Sequence, residues 1–209
     1  MLKKLGYAAV LLFALVAPFQ LYPVLLMKMM CFALFACAFN LLIGFTGLLS
    51  FGHAAFFGGA SYIAGHVLKV WGVPFEFGLL IGTGFAAALG FVMGGLAIRR
   101  QGIYFTMITL ALAQMLFFVF LQAPFTGGED GLQSIPRGKL LGLIDLQNDL
   151  TMYYVVLAIV VAAFLLIVRI VHSPFGQVLK AVRENEPRAT SLGYDADRYK
   201  LMAFVLSAA

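Results

Sequence analysis

His53 stands in an apolar, glycine-rich stretch, where a polar ring is expensive to bury. A ring in that setting either lines a gate or pathway, or hydrogen-bonds a neighbouring helix, and the sequence leaves both readings open. Gln114 poses a weaker form of the same question. Glu76 lies at the edge of its apolar run, within reach of an interface. His66 and His172 are too far from His53 to suggest the cluster that a membrane enzyme needs near one interface. Cys31 and Cys37, six residues apart in an apolar run, suit neither a zinc site nor a disulfide framework. They read as small packing residues. Glu129 and Asp130 sit among glycines in TGGEDG over 126–131, which reads as a solvated turn. It lacks the lysine and the strand-to-helix context of a phosphate cradle. No lysine in the chain is followed by Ser or Thr, so there is no Walker A motif and ATP hydrolysis is not encoded. We therefore expect no catalytic residue, no metal and no cofactor.

The stretch 172–199 carries the most detailed signal. Ser173-Pro174 is a helix start, an N-cap followed by proline at the first helical position. Phe175, Val178, Leu179 and Val182 then fall at i, i+3, i+4 and i+7, which makes one apolar face. Gln177, Lys180, Arg183 and Glu184 occupy the other. Pro187 opens a second short helix and Gly193 closes it. Asp195 and Asp197 suit the next helix start. Such a pair of helices either rests on lipid headgroups or docks a partner protein. In the docking reading the apolar face fixes the loop to its own membrane domain. Glu184, Glu186 and Arg188 are then available to the partner.

The rest of the chain must hold these residues in lipid. Of 209 residues, 63% are hydrophobic and 11% charged, whereas a soluble domain carries about 25% charged residues. Mean hydropathy is +0.99. A helix needs roughly 20 apolar residues to cross a bilayer. Six such spans read out at residues 5–27, 29–49, 51–70, 74–98, 102–122 and 151–171, with polar stretches at 123–150 and 172–199. The N-terminus, two lysines before an apolar run, resembles a signal peptide. No small-residue cleavage site follows and the apolar residues continue, so it reads as an uncleaved first span. Residues 200–209 begin a further apolar run and stop. The expectation is thus an all-α, polytopic integral membrane protein of about six complete transmembrane helices plus a truncated seventh. It forms a single domain over 1–209 that is incomplete at its C-terminus.

Orientation follows from the basic residues. With a cytoplasmic N-terminus, ten of the 14 Lys and Arg fall in inside segments and four (Lys28, Lys69, Arg137, Lys139) outside. The reverse orientation violates the positive-inside tendency. Stretch 172–199 is then cytoplasmic and 123–150 faces outside. The net charge of +5 belongs to this pattern rather than to nucleic acid, for the basic residues lie between apolar spans. The fourth span repeats small residues in steps of four at Gly78, Gly82, Ala86, Gly90 and Gly94, a stripe that lets another helix approach closely. Packing and a sliding interface remain alternatives for it.

Three motifs together resemble a known family. NLLIGFTGLLSFGHAAFFGGASY over 40–62, TGGEDGL over 126–132 and SPFGQVLKAVRENEPRATSLG over 173–193 are similar, in that order, to segments of LivM-type permeases of branched-chain amino acid ABC transporters. The resemblance implies a bacterial inner-membrane importer of two permeases, two ATP-binding subunits and a periplasmic substrate-binding protein. It implies that 172–199 is the coupling loop, with Glu186, Arg188, Ala189 and Gly193 as its matching residues; Glu184, on the polar face beside them, is a further candidate of that loop. The expected function is a permease subunit for branched-chain or similar amino acids. A permease for urea or short-chain amides is the alternative within the family. An ion-coupled secondary transporter is the alternative outside it, but it would call for paired intramembrane carboxylates, and no acid lies at the centre of a span.

Overall fold

The computed structural model describes residues 14–100, 102–140 and 144–209. Residues 14–16 are helical, and the chain then breaks through a 3-10 turn at Ala17–Phe19. Helix α1 (Pro23–Asn40) starts with proline in its first turn, after an extended Tyr22. It runs straight into a π-helical turn, Leu41–Thr46, which ends at Gly47 with φ 73°. The following helices are α2 (His53–Val70), α3 (Phe75–Ala97), α4 (Ile103–Gln122) and α5 (Asp149–Val171). Then come α6 (Pro174–Glu184), α7 (Glu186–Ser191) and α8 (Ala196–Ala208). The described chain is helical apart from turns, irregular connections such as 47–50 and 131–138, and one two-residue antiparallel ladder. In it β1 (Lys139–Leu140) pairs with β2 (Ile144–Asp145).

One expectation needs correction. The span at 5–27 does not continue to Met27. Pro18 and Pro23 flank a non-helical break, and Met27 belongs to α1, which also takes in the expected start of the second span at 29. The remainder of that first span lies outside the described residues. Among the described residues four helical segments are long and apolar enough to cross a membrane: Pro23–Thr46, Phe75–Ala97, Ile103–Gln122 and Asp149–Val171. Helix α2 has 18 residues, but its glycines, two histidines and Lys69 leave it less apolar than those four.

The protein is a multi-pass membrane protein, and its surface shows why. Leu165 is 60% exposed and Phe118 57%. Apolar exposure on that scale fits a lipid solvent and not water. Contacts between helices fix their directions. Gly78 near the start of α3 meets Leu68 near the end of α2, so α2 and α3 are antiparallel. Gly52 lies against Thr109 and Gly59 against Phe120, so α2 and α4 run in parallel. The starts of α1 and α5 pack together through Met27, Tyr153 and Leu157. Hence α1, α3 and α5 run one way, and α2, α4 and α8 the other. One end of the bundle collects the π turn, Arg99–Arg100 and α6–α7. The opposite end collects Tyr22, the α2–α3 turn and residues 123–140 and 144–148.

Candidate functional site

The α6–α7 end is built from locally specified helices. Ser173 accepts from the Gly176 N–H, Asn185 from the Arg188 N–H and Asp195 from the Arg198 N–H. Three successive helices thus have a side chain satisfying an amide that the helix leaves unpaired. The apolar face of α6 turns inward, with Leu179 at 0% and Val182 at 3% exposure. Val182 packs with Ala189 of α7 and Ala196 of α8, so α6, α7 and α8 share one small core. Phe175 stacks on Tyr199 at 5.6 Å. Gly193 closes α7 with φ 90°, a left-handed conformation that glycine adopts without strain.

The polar face of α6 grips its own membrane domain. Arg183 donates to the Gly44 carbonyl oxygen inside the π turn. Lys180 places its ammonium 5.5 Å from the centre of the Phe45 ring. π-helical turns leave backbone groups irregularly paired, and here a guanidinium takes one of them. Glu186 was expected to face a partner. Its carboxylate instead holds Lys200 of α8, with Oε1 at 2.5 Å from Nζ. A lysine that is 4% exposed requires such a partner, and this outweighs the surface role that its position in the motif suggests. Glu184 and Arg188 are exposed. Beside them Leu192 is 70% exposed at the α7–α8 turn.

His53 lies deeper, with 3% exposure, ringed by Phe35, Phe39, Phe56 and Phe204. The Ser207 hydroxyl of α8 donates to the Ala38 carbonyl oxygen of α1 at 2.5 Å. Its single proton is thereby used, so its oxygen must accept from His53 Nε2–H at 2.8 Å. One serine therefore ties α8 to α1 and α2. His53 Nδ1 is left as an acceptor, and among the described residues neither it nor the Ser50 hydroxyl has a partner. A cleft of 390 Å³ at the same end is lined by Gly47, Leu48, Phe51, Gly102, Ile103 and Thr106, among others, and His53 is not one of them. Gln114 is exposed midway along α4, far from that cluster in the chain.

The glycine stripe of α3 serves two partners. A Cβ at Gly78 would stand 2.8 Å from Leu68, and one at Gly82 3.1 Å from Ala64, both in α2. A Cβ at Gly90 would stand 2.7 Å from Ala208, and one at Gly94 2.8 Å from Leu201, both in α8. The stripe thus seats two different helices along one face.

Residues 123–140 differ from a simple solvated turn. Leu132 and Ile135 pack over Gly65 of α2. His66 Nδ1 bonds the Phe125 carbonyl oxygen at 3.1 Å and Lys69 donates to the Gln133 carbonyl oxygen at 2.9 Å. The loop is strapped onto the bundle.

Residues 23–209 match the family described as branched-chain amino acid transport system, permease component. The chain belongs to that family. It is similar to the high-affinity branched-chain amino acid transport system permease protein LivM of Escherichia coli (strain K12), at 29% identity over 99% of this chain and 55% of the relative. The corresponding LivM of Salmonella typhimurium is 28% identical over the same shares. The chain thus spans about half the length of the curated relatives it matches. No solved structure matches it significantly.

Sequence reasoning missed Lys200 and Ser207, which join the expected residues into one system. Lys200 carried a signal, a cation at the edge of an apolar run with acids upstream. Ser207 carried none, since a serine among alanines reads as filler.

Proposed function

We propose that this permease-family chain is a membrane-spanning subunit of an ATP-driven importer for branched-chain or similar amino acids, with α6–α7 as its docking element for an ATPase subunit. The importer of the resemblance adds a second permease, two ATP-binding subunits and a periplasmic substrate-binding protein. The α6–α7 end faces the cytoplasm of a bacterial inner membrane and residues 123–148 face outside, in keeping with the ten-to-four division of basic residues. The N-terminus is cytoplasmic, and the full protein crosses more often than the four long apolar segments. The permease subunit moves substrate and hydrolyses nothing itself, since no nucleotide motif is present.

One observation carries the docking role. The α6–α7 unit is fastened to the membrane domain at two points, Arg183 to the π turn after α1 and Glu186 to α8, while Glu184, Arg188 and Leu192 remain exposed. A helix resting on headgroups needs no such anchoring. An exposed leucine flanked by charges suits a protein groove.

Full-length protein co-expressed with its ATPase subunits tests this. A cysteine at position 188 should cross-link to the ATPase subunit, and position 183 should label from the cytoplasmic side only. Gly193→Val should leave membrane insertion intact and weaken ATPase recruitment, because a left-handed backbone costs a branched residue about 1–2 kcal/mol. Periplasmic labelling at 183, or normal recruitment and leucine uptake in Gly193→Val, would reject the reading.

A further inference from the structure

Lys200 is 4% exposed and stands in the second turn of α8. Its Nζ meets Glu186 Oε1 at 2.5 Å, and the Glu186 side chain is itself three-quarters buried, at 25% exposure. By contrast, the ion pairs Arg137–Asp149 and Arg198–Asp195 have both partners at 40% exposure or more. A buried ammonium deprived of its carboxylate is strongly destabilised. Helix α8 therefore cannot part from α7 without breaking that bond or moving with it.

Helix α8 has 13 residues, a rod of about 20 Å. Its far end is bonded through Ser207 to Ala38 of α1 and His53 of α2. Along its length Leu201, Phe204 and, at its last residue, Ala208 sit on Gly90 and Gly94 of α3. With no side chain on those glycines, the rod lies close to the α3 backbone. A displacement of α7 thus reaches three membrane helices through a single element.

We infer that the Glu186–Lys200 pair is a positioning link that makes α8 follow α7, so that movement of the docking element is delivered to α1, α2 and α3 together. Neither residue touches substrate. The inference rests on α6–α7 being the ATPase-docking element. If the pair is only a strap, breaking it lowers stability and reduces all activities in proportion. If it is the link, breaking it separates ATP hydrolysis from transport.

The test uses the full-length permease, its ATPase subunits and its binding protein in proteoliposomes, with leucine as the probe. The measured quantity is leucine taken up per ATP hydrolysed, alongside the ATPase subunit retained on purification. Glu186→Gln and Lys200→Met should each lower that ratio about tenfold with the ATPase subunit retained. Lys200→Arg, and the exchanged pair Glu186→Lys with Lys200→Glu, should recover most of it. The two recovery variants keep the test decisive should either single variant assemble poorly. An unchanged ratio in the single variants overturns the link. So does a proportional fall in uptake and hydrolysis, or an exchanged pair no better than the worse single variant. If position 188 fails to cross-link, the docking reading fails and the link falls with it; if position 188 cross-links while the ratio is unchanged in Glu186→Gln, the link alone fails.

Discussion

At the α6–α7 end, three capped helices are fastened by a buried ion pair and by a guanidinium on a π-turn carbonyl. At the opposite end, residues 123–140 are fastened by backbone acceptors for His66 and Lys69, by Leu132 and Ile135 over Gly65, and by an exposed ion pair. The loop turns on Gly127, Gly128 and Gly131, all with positive φ. Both segments return to the bundle, yet their stiffness differs. Capped helices sharing a core move as bodies, whereas glycine turns held at their edges yield locally. On the proposed reading the first arrangement passes displacement into the bundle, whereas the second only covers an end. That contrast makes predictions of graded size.

The largest effect belongs to the seat of α8. Gly90→Leu and Gly94→Leu force a side chain against Ala208 and Leu201 and should each cost about 1–3 kcal/mol or more. Gly84 and Gly95 lie on the same helix with nothing near a built Cβ. Gly84→Leu and Gly95→Leu should change stability by less than about 0.5 kcal/mol. Thermal denaturation in detergent measures all four. Equal losses in the two pairs would mean that the stripe does not seat α8.

Ser207→Ala comes next. It strips the Ala38 carbonyl oxygen of a donor and leaves His53 Nε2–H short of its better acceptor, which should cost about 1–2 kcal/mol. A double-mutant cycle with His53→Ala should give a coupling of about 0.6–1.7 kcal/mol, the range of interhelical hydrogen bonds in membranes. Zero coupling would show that the two residues are buried independently. His53 would then be free to act as the gate that its position also suggested.

How far the sequence disclosed this arrangement depends on the range of the interaction. The caps at Ser173 and Asp195, the α6 face and the left-handed Gly193 are local, and a few neighbouring residues specify them. The four-residue stripe was legible for the same reason, but not that it would divide between α2 and α8, since its partners lie far off in sequence. Glu186 was misread because its bond to Lys200 depends on how α8 returns. The break at Pro18–Pro23 was underweighted because apolar residues on both sides mimic one long span. The strapping of 123–140 stayed hidden, for Leu132 and Ile135 find Gly65 only once α2 and α4 are parallel.

The smallest expected effect tests the other side of the contrast. Arg137 and Asp149 form an ion pair with side-chain exposures of 40% and 45%. Water screens both charges, so Arg137→Ala should cost about 0.5 kcal/mol. Asp149 loses little by it, because it sits in the first turn of α5, where the helix dipole favours an acid. Salt should erase the effect, since at 1 M the screening length is about 3 Å. Lys200→Met removes a charge at 4% exposure and should keep its effect at that salt. Chemical denaturation of both variants at low and high salt makes the comparison. If Arg137→Ala proved as costly and as salt-resistant as Lys200→Met, the outer loop would be latched as firmly as α7. The difference in stiffness between the two ends would then have no basis in their ion pairs.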